Sequence, residues 1–134
     1  MNVEVKLPEG APEEVVTHAL VREVDLAPFG TSGTLSLITL DNGMDHTRPN
    51  TLGPKSLAEI ETALTTAETS DAAAIAITGK PFIFAAGADL SALPFVTDIK
   101  QALAIGKFGH DSRFGRCVTG AKHRCIRGGV ARPV

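Results

Sequence analysis

The order of apolar and polar positions along the chain predicts alternating strands and helices. Residues 15–26 are rich in Val and Leu and end before the turn signal Ala27-Pro28-Phe29-Gly30, so they predict a strand. Residues 33–40 alternate between polar and apolar side chains and stop at Asp41-Asn42-Gly43. This pattern predicts a second strand that forms an antiparallel hairpin with the first.

A helical period follows the hairpin. Residues 54–68 begin with a proline, which suits a first helical turn, and are rich in Ala and Glu. Their apolar positions recur at helical spacing, at Leu57, Ile60, Leu64 and Ala67. We expect this stripe to lie on the sheet. Residues 73–78 form a short, uninterrupted apolar run, which is typical of an interior strand covered on both faces.

A second helix is predicted after Asp98, which can cap its first turn. The apolar side of this helix would carry Ile99, Ala102, Leu103 and Gly106. Strands that flank helices indicate a mixed α/β layer.

Between these elements, residues 82–90 read Phe-Ile-Phe-Ala-Ala-Gly-Ala-Asp-Leu. The pattern predicts a buried strand that runs into a loop of small residues and then into a helix. Such a loop can present bare backbone N–H groups to a ligand, and an ordinary tight turn is the alternative interpretation. Asp89 is expected to cap the following turn rather than to react.

Composition and length suit one globular domain. The 134 residues are 43% hydrophobic and 21% charged, without a long low-complexity tract. The first ten residues lack the basic and apolar regions of a signal peptide, and no window is apolar enough to span a bilayer. We therefore expect a cytoplasmic protein without a membrane partner.

The charge is distributed unevenly. Residues 1–112 carry seven basic and fifteen acidic residues, a net charge of −8, whereas residues 113–134 carry six basic residues and no acid. We therefore predict an N-terminal extension over 1–14, a folded domain over 15–111 and a basic, irregular tail over 112–134.

Two short motifs resemble the crotonase (enoyl-CoA hydratase/isomerase) superfamily. Residues 84–90, Phe-Ala-Ala-Gly-Ala-Asp-Leu, look like its first oxyanion-hole segment, and residues 48–52, Arg-Pro-Asn-Thr-Leu, look like the segment that lies along coenzyme A. The two motifs together are similar to the hydratase part of bifunctional fatty-acid oxidation proteins that continue into a 3-hydroxyacyl-CoA dehydrogenase. The resemblance covers about residues 15 to 111. It implies an α/β chain with a partial crotonase-like (ClpP/crotonase) fold, the N-terminal half of the mixed sheet with flanking helices.

The resemblance also implies a site. The Ala88 N–H would be the first donor to the thioester oxygen, on which negative charge develops during hydration. The residues expected to contact the acyl-CoA ligand come from both motifs: Asn50, Thr51, Leu52, Ala86, Gly87, Ala88, Asp89 and Leu90. A coenzyme A thioester would be the substrate, with no covalently bound cofactor, and a homo-oligomer would fit the trimers common in the family.

Other parts of the family pattern have no match. No segment resembles the second, glycine-rich oxyanion segment, and no glutamate follows Glu68. General acid–base chemistry needs such a carboxylate within reach of the substrate. The sequence therefore predicts an acyl-CoA-binding protein with little or no hydratase turnover, and the enzyme assignment stays open.

Two interpretations of the basic tail compete. The abrupt change in composition after Asp111 favours a truncated chain with an out-of-frame or divergent end. The alternative is a non-catalytic binding fragment whose tail binds a polyanion such as coenzyme A phosphate; nucleic acid is disfavoured because only Phe114 could stack on a base.

Neither metal nor phosphate chemistry has a convincing motif. Cys117 and Cys125 are too far apart for a compact zinc knuckle, so we predict reduced thiols and no metal site. Lys80 is interpreted as a solvated surface lysine, with neutralisation of coenzyme phosphates as the alternative.

Overall fold

A computed structural model describes residues 6–112, residue 114 and residues 125–127. The predicted hairpin is present, with β1 at His18–Asp25 paired antiparallel to β2 at Thr34–Asp41. A short 3₁₀ helix, Ala27–Phe29, and Gly30 at φ +84° make the connection. β1 begins three residues later than predicted, because the Thr17 N–H donates to Ser56 Oγ instead of extending the pairing with β2.

The first helix, α1, spans Pro54–Glu68 as predicted. All four residues of its predicted apolar stripe are buried. They pack on Ile38 and Leu40 of β2, which alternate with half-buried residues that face away from α1. The expectation that this stripe covers the sheet is therefore confirmed.

The strand β3 spans Ala74–Thr78 and lies parallel to β2, with Ile77 opposite Ile38. A further short strand, β4 at Cys125–Arg127, pairs in parallel with the other edge of β3. The sheet order is β1-β2-β3-β4, so β3 is an interior strand as predicted.

The second helix, α2, spans Ile99–Asp111, and the Asp98 carboxylate accepts a hydrogen bond from the Lys100 N–H as an N-cap. The predicted apolar side of α2 is not buried, since Ile99 and Leu103 are 74% and 67% exposed. The helix packs only loosely on the described part of the chain and leaves an open space beside it.

The predicted division into extension, domain and tail stays a prediction. The helix α2 ends at Asp111, and both the helical residue Phe114 and the strand β4 lie inside the range predicted to be irregular. The remainder of residues 113–134, apart from Phe114, lies outside the described residues. Cys117 is among these residues, and the two competing interpretations of the tail concern them as well.

Candidate functional site

Asn50 holds the end of β2 to the small-residue loop. Its side chain is completely buried, and its Nδ2 donates to the carbonyls of Leu40 at 2.8 Å and Phe84 at 3.0 Å. Its Oδ1 accepts a hydrogen bond from the Asn42 N–H at 3.0 Å. The side-chain amide of Asn50 thus satisfies three backbone groups, two at the end of β2 and one in the loop, which fixes the position of the loop relative to the sheet.

The loop continues as a short parallel pairing with residues 50–52. The Ala86 N–H donates to Asn50 O at 2.8 Å, the Leu52 N–H donates to Gly87 O at 2.9 Å, and the Asp89 N–H donates to Leu52 O at 3.0 Å. The two bonds made by Leu52 form an isolated parallel bridge between Leu52 and Ala88.

The bridge leaves one donor available. Neighbouring peptide groups of an extended segment point to opposite sides, so the N–H of Ala88 points away from Leu52. Within the described part of the chain, this N–H has no acceptor. Gly87, at φ +102°, supplies the left-handed conformation that makes this arrangement possible at low cost.

Gly79 allows the start of the loop to approach the end of β3. A Cβ atom at this position would lie 2.4 Å from Ile83 O and 2.5 Å from Phe84 Cα. Because those atoms are backbone, they cannot move aside without displacing the segment that Asn50 holds.

The predicted buried strand at 82–84 is wrong. Phe82 is 92% exposed at φ +73°, with its ring edge-on to His46 at a centroid distance of 6.2 Å. Pro81 and the hydrogen bond from the Ile83 N–H to Lys80 O produce a turn there instead of an extended segment. The loop then leads into a 3₁₀ helix at Leu93–Phe95, and the next α-helix begins only at Ile99.

A cavity of about 520 Å³ lies beside Ala88. Five of the eight predicted site residues line it: Leu52, Gly87, Ala88, Asp89 and Leu90. Its other walls come from the N-terminal segment, the start of α1, the 3₁₀ helix at Leu93–Phe95 and α2. The surface of these walls is mostly apolar, so the cavity suits an apolar ligand with a single polar atom near Ala88.

The other three predicted residues do not line this cavity. Asn50 has no exposed surface for a ligand, and its side chain positions the loop instead. The carbonyl of Thr51 accepts a hydrogen bond from Thr17 Oγ1 at 2.7 Å, and the N–H of Ala86 is used by Asn50 O. These three residues therefore support the loop and do not line the cavity.

The sequence interpretation missed Glu14. This buried carboxylate accepts hydrogen bonds from the Lys55 N–H at 2.8 Å, from the Ser56 N–H at 2.9 Å and from Ser56 Oγ at 2.6 Å. It therefore caps α1 and also lines the cavity. No local pattern could reveal this cap, since its partners lie 41 and 42 residues further along the chain.

Among the described residues, three titratable side chains line the cavity: Glu14, Asp89 and His110. Glu14 is engaged by the three donors of α1. Asp89 Oδ1 accepts a hydrogen bond from the Ser91 N–H at 2.9 Å, which confirms that it caps the following turn. His110 lies near the C-terminal end of α2 and is exposed.

Lys80 is neither solvated nor directed to a ligand. Its ammonium group donates to Asn42 Oδ1 at 2.7 Å and to the carbonyls of Met44, Asp45 and Arg48 at 2.6 to 3.0 Å. The side chain is 9% exposed. It therefore organises the connection between β2 and the 48–52 segment, and both sequence interpretations of this lysine are wrong.

Comparison with solved structures identifies the architecture as the crotonase fold. The apo structure of an enoyl-CoA isomerase from Mycobacterium tuberculosis (Mtb) is 21% identical, with a TM-score of 0.58 over 81% of this chain. Pseudomonas aeruginosa DspI is 20% identical, with a TM-score of 0.53 over 81% of this chain. An enoyl-CoA hydratase from Thermoplasma volcanium is 28% identical over 63% of this chain, with a TM-score of 0.46.

The chain spans only part of these proteins. It covers 40% of the length of the isomerase, 40% of DspI and 30% of the hydratase. No family model and no curated protein sequence matches the chain. Within the described residues, no helix is long and apolar enough to cross a membrane.

Proposed function

We propose that this chain binds the acyl part of a coenzyme A thioester, as an enoyl-CoA hydratase/isomerase family protein of fatty-acid β-oxidation. The observation that carries the proposal is the N–H of Ala88, which has no acceptor among the described residues and is held by the bridge to Leu52 at the wall of an apolar cavity. The name of one similar structure, the enoyl-CoA isomerase, supports the same ligand class.

The arrangement can polarise a thioester carbonyl. An N–H donor that is already oriented stabilises the oxygen as negative charge develops on it, without reorganisation during the reaction. The surrounding apolar walls lower the local dielectric and so strengthen this interaction. The same walls can cover the acyl chain.

The described residues support proton transfer to or from the ligand less well than they support binding. Of the carboxylates that line the cavity, Glu14 is occupied by α1 and Asp89 by the turn that follows it. We therefore expect this chain by itself to bind acyl-CoA with little or no hydration of crotonyl-CoA. A spectrophotometric assay of the enoyl thioester checks the second part, and rapid turnover would contradict it.

Binding is tested by substitution of the donor. Ala88→Pro removes the N–H but leaves the Gly87 carbonyl and the Asp89 N–H, which form the bridge. We expect acetoacetyl-CoA to bind about tenfold more weakly, the upper range for one hydrogen bond, by isothermal titration calorimetry. Ala88→Gly keeps the donor and serves as the control. Equal affinities of the two variants, both folded by circular dichroism, would refute the role of this N–H.

A further inference from the structure

The N-terminal segment forms one wall of the cavity. Residues 7–14, called the strap here, contribute Leu7, Pro12 and Glu14 to the lining. The strap was predicted to be an extension outside the folded domain. Its place beside Ala88 makes it part of the candidate site.

The strap is held in place at Glu14 and again at Gly10. At one end, Glu14 is fixed by its three hydrogen bonds to α1, and Gly53 permits the approach, since a Cβ there would lie 2.4 Å from the Glu14 carboxyl carbon. Further along, Gly10, at φ +81°, passes the Phe95 ring. A Cβ atom placed on Gly10 would lie 3.7 Å from Phe95 Cδ1. The strap is therefore packed on the 3₁₀ helix and on α1.

The opposite wall leaves room for a long ligand. Ala102, Ile105 and Gly106 of α2 line it, and a Cβ atom placed on Gly106 would meet no atom of the described residues within 4 Å. The volume of about 520 Å³ lies within the usual range of small-molecule sites, about 300 to 1,000 Å³. Because Glu14 and Asp89 are engaged by backbone donors, the cavity offers mainly apolar surface beyond Ala88.

We infer that the strap and α2 form the two walls of an acyl-chain compartment, and that the preferred ligand is a thioester with a medium or long aliphatic chain. Leu7 on the strap and Gly106 on α2 are the residues that set the preference for chain length. This inference rests on the proposed function, since the thioester carbonyl must lie at Ala88.

The test compares ligands that differ only in chain length. Calorimetric titrations of the whole chain use coenzyme A, acetyl-CoA, hexanoyl-CoA and dodecanoyl-CoA. Each methylene that becomes buried should tighten binding by up to about fourfold, so dodecanoyl-CoA should bind at least about tenfold more tightly than hexanoyl-CoA.

Two variants probe the two walls. Leu7→Ala should weaken dodecanoyl-CoA about fivefold and leave coenzyme A unchanged, because it removes apolar contact area from the strap. Gly106→Leu should bring the affinity for dodecanoyl-CoA down to that for hexanoyl-CoA, because its side chain fills the open space. Leucine is also a better helix former than glycine, so this variant should keep its fold.

The control is Glu9→Ala, which changes an exposed strap residue that does not line the cavity. Its chain-length profile should match that of the unmodified chain. Binding of acyl-CoA without a chain-length gradient, or a gradient that neither wall variant changes, would overturn the inference and leave the proposed function standing. Absence of binding by every thioester would overturn the proposed function itself.

Discussion

The N–H of Ala88 stays without an acceptor in the described part of the chain because of the peptide groups on either side of it. Gly87 offers its carbonyl and Asp89 its N–H to Leu52, so Ala88 needs no special side chain to act as a donor. A side chain larger than alanine would narrow the approach to the backbone at this exposed position. The small residues around it therefore keep the site open, while Asn50, behind it, keeps the site in place.

Asp45 gives the neighbouring turn a dependence on pH. Hydrogen bonds from the Thr47 hydroxyl and the Thr47 N–H hold the pKa of Asp45 below its ordinary value, with smaller help from the charges of Lys80 and Arg48. A lowered pKa means that the carboxylate stabilises the folded turn above the ordinary pKa. This stabilisation is lost as the pH falls through the lowered pKa.

We therefore expect the Thr47 amide resonance to titrate at a pH below that of an unperturbed aspartate, in an NMR titration of the folded chain. The direction follows from the charged form being the better acceptor. Asp45→Asn should abolish this transition at Thr47. A transition at or above the ordinary aspartate range would contradict the assignment.

At the scale of elements, α1 shows how a regular pattern and a distant contact differ in predictability. Its bounds and buried stripe follow from a period that repeats within the helix, so the sequence predicted both. Its cap comes from Glu14, a long-range partner that no local period records. The error at Phe82 has a related cause, since an apolar run has the same composition whether it extends or turns after Pro81.

The candidate site likewise has a part that the sequence predicted and a part that it did not predict. The resemblance singled out the loop at 84–90, and the structure places Leu52 and residues 87–90 around one cavity. The role of Ala88 as a donor to a ligand stays a proposal. Motif spacing could not distinguish residues that face this cavity from Asn50, Thr51 and Ala86, which support the loop from behind. Those roles depend on hydrogen bonds between segments about 34 residues apart.

The cap of α1 predicts an unequal effect of two neighbouring glutamates. Glu14→Ala leaves the Lys55 and Ser56 N–H groups without their acceptor and should lower the free energy of unfolding by about 1 to 3 kcal/mol. Glu13→Ala removes only an exposed ion pair with Lys55, at 3.4 Å, and should cost less than about 0.5 kcal/mol. Urea unfolding of both variants measures the difference, and equal costs would argue against a cap at Glu14.

On the scale of the whole molecule, the sheet has an exposed edge at β1. The sheet order places no described strand beyond β1, and Leu20 in this strand is 57% exposed. Edges of this kind can pair with another chain, and a lysine in such a strand opposes that pairing.

Leu20→Lys should reduce self-association at high protein concentration and leave the melting temperature nearly unchanged, because the side chain is already largely exposed. Light scattering over a concentration series, combined with thermal denaturation, measures both quantities. Leu20→Val keeps an apolar residue in the strand and should scatter like the unmodified chain. Reduced scattering in both variants would point to a cause other than added charge.

The Asn50 amide also has a consequence for the order of folding. It joins a carbonyl 10 residues before it to another 34 residues after it, so its bonds can form only when β2 and the distant loop have come together. Local pairings such as the hairpin form quickly, whereas contacts between remote segments wait for the intervening chain to close. The N–H of Ala88 is therefore presented late in folding, and the recovery of ligand binding during refolding should lag behind the recovery of helix and hairpin signals.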